Sequence, residues 1–164
     1  MHRTHPAAAA ITAAILFTLT PAGAWAVESS TDTQMQERVD AVIDQYGGAQ
    51  TAWNEVTWDA GAVVLELDPP VPGTDVVPYA GTDDCASGRY CVYSKTGYEG
   101  TKITYSSCPA TYTSFTALLG PVRSIKNDLR SGTVRAYNGS TLKATLTPGN
   151  GTSNITNVTK LTCS

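Results

Sequence analysis

Four cysteines carry most of the chemical potential of this 164-residue chain: Cys85, Cys91, Cys108 and Cys163. Thiols coordinate metals, attack as nucleophiles or oxidise in pairs. A four-thiolate zinc site is ordinarily built from paired Cys-x-x-Cys knuckles, whereas here the gaps are five, sixteen and fifty-four residues. A cysteine or serine nucleophile of the familiar kind needs an imidazole base. The two histidines, His2 and His5, both lie in an N-terminal segment with the marks of a removed leader. An even set of thiols then favours two disulfides. Chain entropy assigns about 2.4 kcal/mol to a Cys85–Cys91 loop and about 4.2 kcal/mol to Cys108–Cys163, with similar totals for the other pairings. Entropy does not choose. The Ser87-Gly88 turn can bring Cys85 to Cys91, which favours that pair together with Cys108–Cys163.

Paired carboxylates are the other candidate chemistry. Glu55 and Glu66 could suggest a glycosidase, but both fall at solvent-side positions of strands and no carbohydrate cleft is signalled. A hydrated sheet face accounts for them. Neither a paired-carboxylate nor a Ser-Lys motif emerges elsewhere, so no catalytic residue, metal ligand or cofactor is assigned. The chain is expected not to be an enzyme.

The leader is residues 1–26. His2, Arg3 and His5 make a basic start, Ala7 to Leu19 is apolar, and Ala24-Trp25-Ala26 fits a cleavage site. The apolar run is shorter than the roughly 20 residues needed to span a bilayer. A secreted, extracellular protein beginning at Val27 is expected, with no membrane span.

Charge divides the remainder. Residues 27–84 carry twelve acids and one base, Arg38, a net −11; residues 85–164 carry nine bases and two acids, Glu99 and Asp128, a net +7. Either the two parts attract each other or the basic part meets an external polyanion.

Positioning these groups requires elements of both kinds, an α+β fold. In the acidic region, 27–67, Met35, Val39, Val42, Ile43 and Tyr46 recur at spacings of three and four, predicting a helix over Thr31 to Tyr46. Thr31 or Thr33 is the expected cap and Gly47-Gly48 the stop. A β-hairpin follows, Asn54 to Trp58 and Ala62 to Leu67 about Asp59-Ala60-Gly61, and the helix is expected to lie over this two-stranded sheet. Residues 68–84 hold four prolines and read as a linker. Residues 85–164 form the disulfide-bonded domain, with strands expected over Tyr90–Ser94, Thr101–Tyr105, Val122–Lys126, Thr133–Tyr137, Leu142–Leu146 and Val158–Cys163 in an all-β sandwich.

The run Tyr93-x-x-x-x-Tyr98-x-Gly100, followed by Val122-Arg123-Ser124-Ile125, resembles the Greek-key signature of βγ-crystallins. The segment Cys85 to Tyr93 resembles the opening of the streptomycete metalloproteinase inhibitor family, secreted bacterial members of that fold. The resemblance implies that Ser124 hydrogen-bonds back onto a hairpin folded by Tyr93, Tyr98 and Gly100. It departs in the second half, where Tyr137-x-x-x-x-Leu142 lacks the aromatic and the glycine.

Three functions follow. The resemblance implies inhibition of an extracellular protease by a rigid loop. The connection Ala117-Leu118-Leu119-Gly120-Pro121 is the candidate, through Leu118 and Leu119, with burial of both leucines as the competing reading. It also implies the calcium sites of many βγ-crystallins, but the aligned positions are Leu119-Gly120 and Ile155-Thr156, which lack the carboxylates such a site needs, and Asn127-Asp128-Leu129-Arg130-Ser131 follows its strand instead of preceding it. The residues themselves offer a third, non-catalytic binding of an anionic cell-envelope polymer through Arg89, Lys95, Lys102, Arg123, Lys126, Arg130, Arg135, Lys143 and Lys160. Nucleic acid is not an expected partner, because the chain is read as exported and has no recognised binding motif.

Overall fold

No proline or glycine interrupts the chain between Trp25 and Tyr46. In the computed structural model, which describes residues 25–70 and 84–164, this stretch is one helix, α1 (Trp25–Tyr46). Thr31 and Thr33 are therefore helical residues instead of caps, since nothing in the preceding turn stops the helix from extending. The expected cleavage point after Ala26 falls in its first turn. Most of the leader and most of the linker lie outside the described residues. The helix ends at Gly47, whose φ of 70° lets its N–H close the last turn onto Ile43 O at 2.8 Å. Met35, Val39 and Val42 are buried along one stripe.

Eleven strands are described: β1 (Ala49–Ala52), β2 (Glu55–Trp58), β3 (Val63–Glu66), β4 (Tyr90–Tyr93), β5 (Lys102–Tyr105), β6 (Ala110–Tyr112), β7 (Ser124–Asn127), β8 (Val134–Asn138), β9 (Thr141–Leu146), β10 (Gly151–Thr152) and β11 (Lys160–Cys163). Their pairings are antiparallel and make two sheets, ordered β1-β2-β3-β5-β4-β7-β10 and β6-β11-β8-β9. The fold is thus mostly β, with one helix. β4, β5 and β7 sit together while β6 joins the other sheet; β8, β9 and β11 sit together while β10 crosses back.

The β2–β3 hairpin is not the two-stranded unit expected. β1 pairs with β2 on one side, and β3 pairs with β5 on the other. The partners explain the joining: Leu65 faces Ile103, Val63 faces Tyr105 and Glu66 faces Lys102, so apolar and opposite-charge pairs align across the seam. Helix stripe and β-strands share one core, in which Met35, Val39 and Leu65 belong with Val92, Ile125 and Leu161. Tyr90, Tyr105 and Tyr112 form an aromatic group within it, with Tyr105 and Tyr112 ring centroids 4.1 Å apart.

β1, β6 and β10 have no counterpart among the expected strands. Each is short, and their sequences Ala-Gln-Thr-Ala, Ala-Thr-Tyr and Gly-Thr carry little apolar alternation.

Candidate functional site

The Tyr-x-x-x-x-Tyr-x-Gly run lies in the connection from β4 to β5, which folds back over the sheet. Tyr98 takes a φ of 66° and Gly100 a φ of 82°. A Cβ at position 100 would lie 2.4 Å from Ser94 Oγ and 2.9 Å from Lys95 Cγ, so the fold-back closes only around a glycine. Tyr93 and Tyr98 meet edge to face with centroids 5.7 Å apart. Ser124, opposite Tyr93 in the β4–β7 register, is fully buried. It accepts the Tyr98 N–H at 3.0 Å and donates to Lys95 O at 2.7 Å. The Cys85–Cys91 disulfide packs with both rings in a small cluster of its own. The second bond joins Cys108 to Cys163, tying the approach to β6 to the end of β11, with Gly132 against its sulfurs.

The leucine connection is split by its own geometry. Residues Thr116–Leu118 form a single 3₁₀ turn, closed by Leu118 N–H to Phe115 O at 2.9 Å and Leu119 N–H to Thr116 O at 3.1 Å. This turn directs Phe115 and Leu118 inward, and Leu118 is completely buried. Neither two exposed leucines nor two buried ones is found: Leu118 is core, because hydrophobic burial claims it. Leu119 stands 51% exposed at a φ of 57°, anchored on one side by Leu118 and on the other by buried Val122. It borders a small hollow of about 100 Å³ with Arg38, Ala41, Val42 and Gln45 of α1.

The basic side chains are divided between the two sheets. Lys102, with a side chain only 10% exposed, bonds Glu66 at 2.8 Å and Asp84 at 2.7 Å. Burial opposes its charge, but the hydrogen bonds it donates to Asp84 and Glu66 and their negative charges outweigh it, and its pKa is raised. Lys95 pairs with Asp68 at 2.7 Å. Lys102, Glu66, Asp84 and Asp68 line a cleft of about 500 Å³ with Trp53, Tyr93 and Tyr98, directly on the seam between the acidic and basic parts. Glu55 and Glu66 are direct cross-strand partners, and Lys102 offsets their repulsion. Arg135, Lys143 and Lys160 lie far along the chain, on strands of the other sheet. Arg123 is half-buried, and its shielded Nε has no hydrogen-bond partner.

Asn127, the first residue of the calcium-like run, is a structural anchor. Its amide donates to Gly132 O and Leu146 O, while its carbonyl oxygen accepts the Leu129 N–H. Among the described residues, no group of three His, Cys, Asp or Glu side chains is placed to hold a metal ion. No described helix is long and apolar enough to cross a membrane.

Comparison with known proteins adds one finding. Residues 79–146 match peptidase inhibitor family I36, a span that includes the Cys85 to Tyr93 segment from which the inhibitor resemblance is read. The family is one of inhibitors, which are not enzymes. No curated protein matches the chain, and no solved structure does.

Proposed function

We propose that this protein is a secreted proteinase inhibitor that blocks an extracellular metalloprotease by inserting Leu119 from a rigid loop. The family match carries the inhibitory reading. The loop follows from the geometry: Leu119 is an exposed large apolar side chain between Leu118 and Val122, both buried in the core. A loop ordered before binding loses little conformational entropy when it docks, and a fixed backbone departs poorly from its ground state when an enzyme attempts cleavage.

Other observations support the wider reading. The exchange of β6 and β10 between the sheets is the arrangement expected of two interlocked Greek keys of βγ-crystallin type. All four described cysteines are oxidised, which suits an exported protein. Removal of residues 1–26 would release the chain from Val27, and residues 68–84 would serve as a linker.

The test is a panel of thermolysin-like, serine and cysteine proteases assayed against the mature protein and its Leu119→Asp variant. Inhibition of a thermolysin-like enzyme at or below micromolar protein, weakened at least tenfold by L119D with unchanged thermal stability, is the expected result. A flat panel overturns the inhibitory reading; inhibition unaffected by L119D overturns the loop.

A further inference from the structure

The charge asymmetry of the chain is only partly neutralised within the molecule. Lys95 pairs with Asp68, and Lys102 with Glu66 and Asp84, all on the seam of the larger sheet. Among the described residues, no side-chain carboxylate lies within ion-pair distance of Arg135, Lys143 or Lys160, and residues 129–164 contain no Asp or Glu.

The register gathers these three cations on one surface. In the β6-β11-β8-β9 sheet, Val134, Ala136, Leu161, Cys163 and Leu146 point into the core, so their alternates face out. Thr111, Thr162, Arg135 and Thr145 are successive cross-strand partners and make one straight row. Lys160 and Tyr137 are partners in the next row, with the ammonium 4.4 Å from the ring centroid. The register shift opposite Ala136 and Tyr137 leaves both Leu142 and Lys143 exposed beside them. Arg135 Nη1 donates to Ser164 Oγ at 2.8 Å, which fixes the guanidinium.

We propose that this outer sheet face binds an acidic polysaccharide, a sugar polymer bearing carboxylate or sulfate groups. Charge complementarity selects an anion, and three cations spread over adjacent strands, about 4.8 Å apart, suit a repeating one. The neutral groups select the sugar: Thr111, Thr145, Thr162 and Tyr137 all present hydroxyls, which both donate to and accept from a polyhydroxylated chain. The site is separate from the Leu119 loop and does not depend on inhibition.

The full chain is tested for retention on heparin as a sulfated probe, on polygalacturonate as a carboxylated one, and on neutral dextran. A protein of net charge −3 is not held by a polyanion through bulk attraction. Retention by both acidic polymers and not by dextran is expected, with affinity falling about 20- to 40-fold between 50 and 200 mM salt if three cations engage. Lys143→Gln/Lys160→Gln should weaken binding at least tenfold, and the exposed single change Lys143→Glu at least threefold, which guards against a folding artefact. Arg89→Gln/Lys95→Gln, removing equal charge beside the other sheet, should change it less than twofold. Absence of retention at 50 mM salt, equal losses in the two double variants, or tighter binding to duplex DNA or inorganic polyphosphate than to either polysaccharide overturns the proposal.

Discussion

Ser124 and Tyr98, twenty-six residues apart, are joined by a hydrogen bond from the Tyr98 N–H to Ser124 Oγ at 3.0 Å. The same hydroxyl donates to Lys95 O at 2.7 Å, so one side chain holds both limbs of the β4–β5 fold-back. Ser124→Ala leaves a half-buried N–H and a carbonyl without their partner. A loss of about 1–3 kcal/mol is expected, read as a lower urea midpoint with an unchanged slope.

Gly100 and Gly139 separate conformation from crowding. Both have positive φ, 82° and 58°, but a Cβ at position 139 meets nothing within 4 Å. Gly139→Ala should cost about 1 kcal/mol, the ordinary penalty of the left-handed region. Gly100→Ala must also displace Ser94 and Lys95, and is expected to cost at least about 1 kcal/mol more. Equal effects in thermal unfolding would mean the fold-back is looser than its contacts imply.

The disulfides close loops of unequal length, with sequence separations of 6 and 55. Replacing both Cys108 and Cys163 by Ser should cost about 4 kcal/mol, and replacing both Cys85 and Cys91 about 2 kcal/mol, if unfolded-chain entropy dominates. Denaturant unfolding of the two double variants checks the order; a larger loss at Cys85–Cys91 would point instead to its packing against Tyr93 and Tyr98.

Stability should fall as the pH rises past 10. Burial first, and neighbouring phenols second, raise the Tyr90 and Tyr105 pKa values far above the ordinary 10.0. Lys102 is raised above 10.5. In each case the folded pKa exceeds the unfolded one, so the contribution is complete below the unfolded value and is lost as pH climbs toward the folded value. Tyrosinate absorbance should accordingly appear in two stages, the second coinciding with loss of near-ultraviolet circular dichroism. Ionisation of all the tyrosines in one smooth step, with the fold intact, would contradict this.

The helix stripe, the hairpin and the six longer strands after Cys85 were legible because each is a local pattern: apolar residues at spacings of three and four, or alternating by two, bounded by glycine and proline. Met35, Val39 and Val42 lie where their spacing puts them, on the buried side. The start of the helix was not legible, since Thr31 and Thr33 are good caps that the chain does not use when the preceding residues can also turn. The short edge strands carried too few apolar residues to announce themselves.

Residue types and spacing alone fixed what chemistry the chain offers: oxidisable thiols, a tyrosine-glycine corner, and acids and bases segregated along its length. Which leucine is buried, which lysines are neutralised, and which strand the acidic hairpin joins were decided only by the tertiary structure. These are outcomes of contact between segments distant in sequence. Leu118 and Leu119 are adjacent and chemically identical, and only a turn packed against a core assembled from the whole chain sends one inward and the other to solvent.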